Sequence, residues 1–280
     1  MAKQHVWKQV QLPSRGYYYE GAVPDGNVLI RKFTVEEEQV LQSQGISGLD
    51  RMARIVRQCS AHVVEGEKLN HNELLLTDRM AILIYQRILT FGPNYTFGFR
   101  CPACGAQSKA KVNLVKDFDE ITPDDLKVRL AEKYPEQYES VEDVDLSEPF
   151  EVTLEDVGEG TEDHRPITVK LRLLRGKDEL EVFKRSKRQR MRSLDDADPS
   201  YSIRIAQQIV EKEGVAPDSL NVTEMFVRSL TATDSSRIRI TTDEREPGLD
   251  TAVATHCGSC GYEAQTALQF DLEFFRPTSL

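Results

Sequence analysis

Two Cys-x-x-Cys-Gly knuckles, Cys101-Pro102-Ala103-Cys104-Gly105 and Cys257-Gly258-Ser259-Cys260-Gly261, constrain this chain more than any other feature. Short, partly alternating runs flank each of them: Phe97 to Arg100 and Gln107 to Leu114 around the first, Thr251 to His256 and Tyr262 to Phe270 around the second. Such runs predict two hairpins whose tight turns carry the cysteines. Together the turns supply four thiolates, the number that a closed tetrahedral zinc site requires. Cys101, Cys104, Cys257 and Cys260 are therefore the expected ligands of a structural zinc ion, and each hairpin is the expected half of a zinc ribbon. The glycine after each second cysteine can take positive φ, which turns backbone amides toward the sulfurs and softens their charge.

Other uses of the cysteines stand beside this one: a disulfide inside each knuckle, a thioredoxin-like redox pair, or a relic without metal. No N-terminal stretch resembles a secretory signal, and a reducing cytoplasm keeps thiols free. A redox pair opens a helix within a βαβ unit, a setting neither knuckle has. His256 adjoins the second knuckle, but four cysteines suffice without it. Cys59 falls on a helical pattern and is expected to be a small buried hydrophobe.

The intervening sequence reads as an α+β protein. Residues 1–27 mix Trp7, Tyr17-Tyr18-Tyr19, Pro13, Pro24 and three glycines without helical periodicity, which predicts an extended N-terminal arm. Val28 to Phe33 alternates like a strand, and Thr34-Val35-Glu36-Glu37 fits a capping box for a helix over 35–44. A second helix is expected over 48–61. Thr77-Asp78 is expected to cap a third through Phe91, with Met80, Leu83, Ile84, Ile88 and Leu89 as a wide apolar stripe ended by Gly92-Pro93. Thr122-Pro123 starts another helix. Phe150 to Leu154 and Ile167 to Leu173 read as paired strands, and Gly176 opens a helix that runs into the basic residues Lys184, Arg185, Lys187, Arg188, Arg190 and Arg192. Asp195-Asp196-Ala197-Asp198-Pro199 is a polar break. Tyr201 to Glu213 reads as one amphipathic helix, Asn221 to Glu224 as a further capping box, and Asp234 as the start of a short helix. This gives a body of helices and a two-part ribbon from 28–134 and 193–280, with a lobe of β-hairpin and basic helix inserted at 135–192.

In order, these pieces resemble a family of phage baseplate proteins, the one that contains the hub assembly protein of T-even myophages. The residues that carry the resemblance are Leu12-Pro13-Ser14, Leu76-Thr77-Asp78-Arg79, and Phe91-Gly92-Pro93-Asn94-Tyr95-Thr96-Phe97 leading into Cys101-Pro102-Ala103-Cys104. Glu246-Pro247-Gly248-Leu249-Asp250 before Cys257-Gly258-Ser259-Cys260 and the closing Phe274-Phe275-Arg276-Pro277 complete it, over about residues 10–120 and 200–277. The resemblance implies a non-enzymatic subunit that helps build, or stays in, the baseplate of a contractile tail. It implies other tail and baseplate proteins as partners, in the hub, tube or tape-measure region. It also implies a virion location reached by assembly in the host cytoplasm.

Two other functions are weighed against it. A zinc hydrolase keeps an open ligand position and a general base, whereas four thiolates close the shell. His5, His62, His71, His164 and His256 form no i, i+4 pair, no Gly-x-Ser-x-Gly elbow or phosphate loop is present, and no catalytic residue is expected. A nucleic-acid-binding zinc ribbon is the alternative, with the basic stretch as its footprint. Against it, 36 basic and 46 acidic residues give a net charge of -10, while counterion release needs a positive surface. No membrane partner is expected: the apolar run from Met80 to Leu89 is short and interrupted by Gln86 and Arg87.

Overall fold

The computed structural model describes residues 6–45, 47–162, 164–191, 198–268, 270 and 272–275. His5, Arg192, Asp195 to Ala197 and Arg276-Pro277, all invoked above, lie outside the described residues.

The N-terminal segment begins with strand β1 (Trp7–Gln11), which pairs antiparallel with β2 (Asn27–Arg31), so this part of the expected arm is built into a sheet. Between the strands, Tyr19 turns inward and donates its hydroxyl to the fully buried Asp78, while accepting the Leu75 N–H at 2.9 Å. The Ser14 N–H also reaches Asp78, at 3.2 Å. Burial raises the pKa of both Asp78 and Tyr19, and the neighbouring carboxyl raises that of Tyr19 further.

Helix α1 (Val35–Gln42) starts at the expected capping box, with Thr34 and Glu37 bonding reciprocally. Glu37 is also held by both arms of Arg31, at 2.8 and 3.1 Å. Helix α2 (Gly48–Cys59) stops two residues before its expected end, because Ser60–His62 leaves it as strand β3 and pairs with β2. Cys59 is fully buried there, and burial with the nearby Glu37 charge pushes its thiol up to about 12.

Helix α3 (Leu76–Phe91) is the centre of the molecule. It touches α2 and β2 as well as two later elements, and Ala81, Ile82, Leu83 and Ile84 are all buried. A helix apolar on nearly every side belongs inside a core. Its start departs from expectation: Leu75 precedes it with no side-chain cap, because Asp78 faces the N-terminal segment instead. The chain then forms β4 (Asn94–Arg100), β5 (Gln107–Asn113) and β6 (Asp119–Ile121) before α4 (Pro123–Lys133), where Thr122 and Asp125 make a capping box behind proline.

Strands β7 (Phe150–Leu154) and β8 (Ile167–Leu171) pair as the alternation predicts. Helix α5 (Gly176–Arg190) follows, then α6 (Ser200–Gln208). The single helix expected from 201 to 213 is broken at Ile209: the β-branched Ile209 and Val210 continue as β9 (Ile209–Lys212), which pairs with β8. Thus 135–192 shares a sheet with the 193–280 body, and Val169, Leu171 and Leu173 lie in one apolar cluster with Val28 and Ile84. A smaller cluster gathers Leu126, Leu130, Val144 and Leu146.

Helix α7 (Leu220–Ser229) is capped by Ser219, two residues ahead of the expected Asn221, and α8 (Ala232–Asp243) by Thr231. Asp234 sits inside α8, where its carboxylate accepts the Glu155 and Asp156 N–H groups at 3.0 Å each. Strand β10 (Gly248–Asp250) pairs with β6, and β11 (Ala252–His256) with β12 (Glu263–Ala267), before the terminal turn α9 (Leu272–Phe275). The result is α+β: helices around α3, with small antiparallel sheets set among them. No helix among the described residues is long and apolar enough to cross a membrane.

Candidate metal centre

The two knuckles fold as the same loop. In the first, the Cys101 N–H donates to the Ala106 carbonyl and the Gly105 N–H to the Cys101 carbonyl, both at 2.9 Å. In the second, Cys257 donates to Tyr262 and Gly261 to Cys257, again at 2.9 Å. Gly105 and Gly261 both sit at φ 74°, where a side chain would be strained. Each loop joins adjacent strands of a hairpin, β4 to β5 and β11 to β12.

The hairpins bring all four sulfurs together. The Sγ atoms of Cys101 and Cys260 are 3.7 Å apart, as are those of Cys104 and Cys257, and all four lie within 4.8 Å of one another. A regular tetrahedron with metal–sulfur bonds of about 2.3 Å has edges of about 3.8 Å. A disulfide would need about 2.05 Å, and the thiols are free. Each hairpin contributes one buried sulfur residue, Cys101 or Cys257, and one exposed one, Cys104 or Cys260. Among the described residues, no other set of three or more His, Cys, Asp and Glu side chains converges in this way.

The electrostatics are those of a site that wants a cation. The Ser108 hydroxyl on β5 crosses to Cys257 Sγ at 3.6 Å; with the amides of Cys260 and Ser259 it pulls the Cys257 thiol down to about 5. At Cys260 the Tyr262 amide favours the thiolate, but the sulfurs of Cys104, Cys257 and Cys101 crowd it and push it up to about 12. Thiolates this close repel, and a divalent ion at their centre removes the repulsion. Among the described residues no fifth ligand joins the four sulfurs: His256 is exposed, with its Nδ1 3.6 Å from Glu263.

The hairpins are also fixed at their roots. Arg87, buried in α3, donates to the carbonyls of Gly92 and Asn94 ahead of and within β4, and to that of Phe274 in α9, the last at 3.4 Å. Its guanidinium lies over the rings of Tyr95 and Phe274, 5.3 and 5.5 Å from their centroids. One cation thereby ties the start of the first hairpin to the segment that follows the second. Sequence reasoning found the cysteines and missed both Ser108 and Arg87. The alternation of β5 carried a signal for Ser108, which shares its inward face with Ala110 and Val112.

A family profile described as T4 bacteriophage base plate protein matches residues 14–276, running through the middle segment as well as both knuckles. No curated protein and no solved structure gives a significant match. With nearly its whole length matched, the chain belongs to the T4 bacteriophage base plate protein family.

Proposed function

We propose that this protein is a structural or assembly subunit of the hub region of a phage tail baseplate, and that Cys101, Cys104, Cys257 and Cys260 hold a structural zinc ion in a two-part zinc ribbon. The observation that carries the metal reading is the convergence of four sulfurs from hairpins more than 150 residues apart at edges close to those of a zinc tetrathiolate. Bound there, zinc would supply folding free energy and no reaction centre, since four thiolates leave no position for water. The chain's own residues orient the ligands: Gly105 and Gly261 close the loops, Ser108 donates to Cys257, and the Arg100 Nε–H bonds the Gly105 carbonyl at 3.1 Å. Family membership supports the baseplate role, with neighbouring hub, tube or tape-measure-associated proteins as partners.

The test is metal content and assembly together. Purified protein should carry about one zinc per chain. Its cobalt-substituted form should show the absorption of a tetrahedral thiolate site without exchangeable water. Replacing Cys101 and Cys104 by serine should release the metal and abolish tail assembly. Normal infectious particles from that variant would overturn the proposal.

The nucleic-acid reading has one observation in its favour: Arg100, Lys109 and Lys111 are all exposed on one face of the β4–β5 hairpin. A steeply salt-dependent shift with duplex DNA, lost when Lys109 and Lys111 become glutamate, would favour it over protein contacts.

A further inference from the structure

Away from the four thiols, α2, α3, α5 and α6 leave two adjoining cavities that share Leu49 and Glu179. Their volumes are ≈ 350 and ≈ 480 Å³. Leu49, Met52, Met80, Leu83 and Phe275 line the first, and Val182 and Phe183 continue the apolar floor into the second. At the far end Met191, a large apolar side chain, is 79 % exposed.

The rim has the opposite sign from the molecule. Arg51, Arg79, Lys187, Arg190 and Arg204 border the two cavities. The opposing carboxylates are Glu179, which pairs with Arg79 at 3.1 Å, and Asp198, which pairs with Arg190 at 2.5 Å. Lys187 and Arg204 make no ion pair among the described residues. Five cations against two carboxylates on a chain of net charge -10 is a local reversal, and it coincides with the apolar floor.

We infer that this groove docks an acidic amphipathic helix of a neighbouring subunit. An apolar trough takes the leucine-like face of a helix, with side chains at i, i+3, i+4 and i+7 as anchors. The cationic rim then meets the acidic flanks of that helix. The negative charge elsewhere repels the same partner, so attraction is confined to one orientation. The basic stretch from Lys184 to Arg190 thereby gains a use that needs no nucleic acid, because its groove-facing members Lys187 and Arg190 stand over hydrocarbon. None of these residues belongs to the four-thiol site, and the inference stands with or without a metal.

The experiment titrates full-length protein into a fluorescein-labelled helical peptide with leucine at every third or fourth position and glutamate elsewhere, read by anisotropy. Saturable binding that weakens with salt is expected, as is a loss of about tenfold in affinity in Lys187→Glu and Arg204→Glu. Both side chains are exposed, and unchanged circular dichroism with a cooperative melt shows that the variants fold. A leucine–lysine version of the peptide should not bind. Equal binding of the two peptides, or unchanged affinity in the charge-reversal variants, overturns the inference. So does displacement of the acidic peptide by a short DNA duplex, or self-association through this face in sedimentation equilibrium. Failure of the full-length chain to bind the acidic peptide also overturns it.

Discussion

Arg87→Met is the most informative single change, because Arg87 joins the roots of two hairpins whose tips carry the thiols. Methionine keeps most of the aliphatic stem, so the packing of α3 is preserved and the loss falls on the guanidinium. Three carbonyls lose a charged donor. That of Phe274 is buried, and losing a charged donor there costs about 2 kcal/mol. Those of Gly92 and Asn94 are near solvent, and hydration offsets most of their loss. The two ring contacts add about 1 kcal/mol. A net destabilisation of about 3 kcal/mol follows, after the relief of no longer burying a cation is set against the remaining terms. Urea denaturation followed by circular dichroism measures it as a lowered midpoint at constant slope. A loss under about 1 kcal/mol would show that the guanidinium is not what couples α3 to α9.

Two further outcomes follow from buried carboxyls. Glu37 is buried, which disfavours its charge, but hydrogen bonds from Arg31 and Thr34 outweigh burial and hold its carboxyl at about 2, below the usual 4.5. Its stabilising contribution is therefore present above pH 4.5 and lost as pH falls toward 2, and Arg31→Met, which strands the carboxylate, should cost about 3–5 kcal/mol in the same denaturation assay. Glu246 is the reverse case: burial first, then the charges of Asp243 and Asp78, push it up to about 7, with Arg204 opposing and Glu148 adding. A raised carboxyl favours the folded state below the unfolded pKa and loses that advantage as pH climbs through 7. Glu246→Gln should thus stabilise the protein by on the order of 2 kcal/mol at pH 8 and change little at pH 5, as read by melting at both values.

The parts of the structure written in local sequence were legible as such. Thr34 with Glu37 and Thr122 with Asp125 make their caps within four residues, and each knuckle carries its own turn glycine. What escaped was set by partners distant in sequence. Strands β3 and β9 are three and four residues long, follow helices directly, and exist because β2 and β8 offer them an edge. Asp78 has the right place for a cap but is claimed by Ser14 and Tyr19, which no local rule foresees. Gln86 and Arg87 interrupt the apolar run of α3 in sequence, yet both are buried, so the interruption marked an internal junction and not a solvent face.

A four-thiol site divided between residues 101–104 and 257–260 is one that no fragment of early translation possesses. A ribosome that releases its product before residue 257 delivers two sulfurs, which hold an ion far more weakly than four. Capture of the proposed ion would then act as a test of synthesis, passed only by polypeptides that have reached the second hairpin, and under the proposed assembly role defective copies would be left out of the particle for want of two atoms.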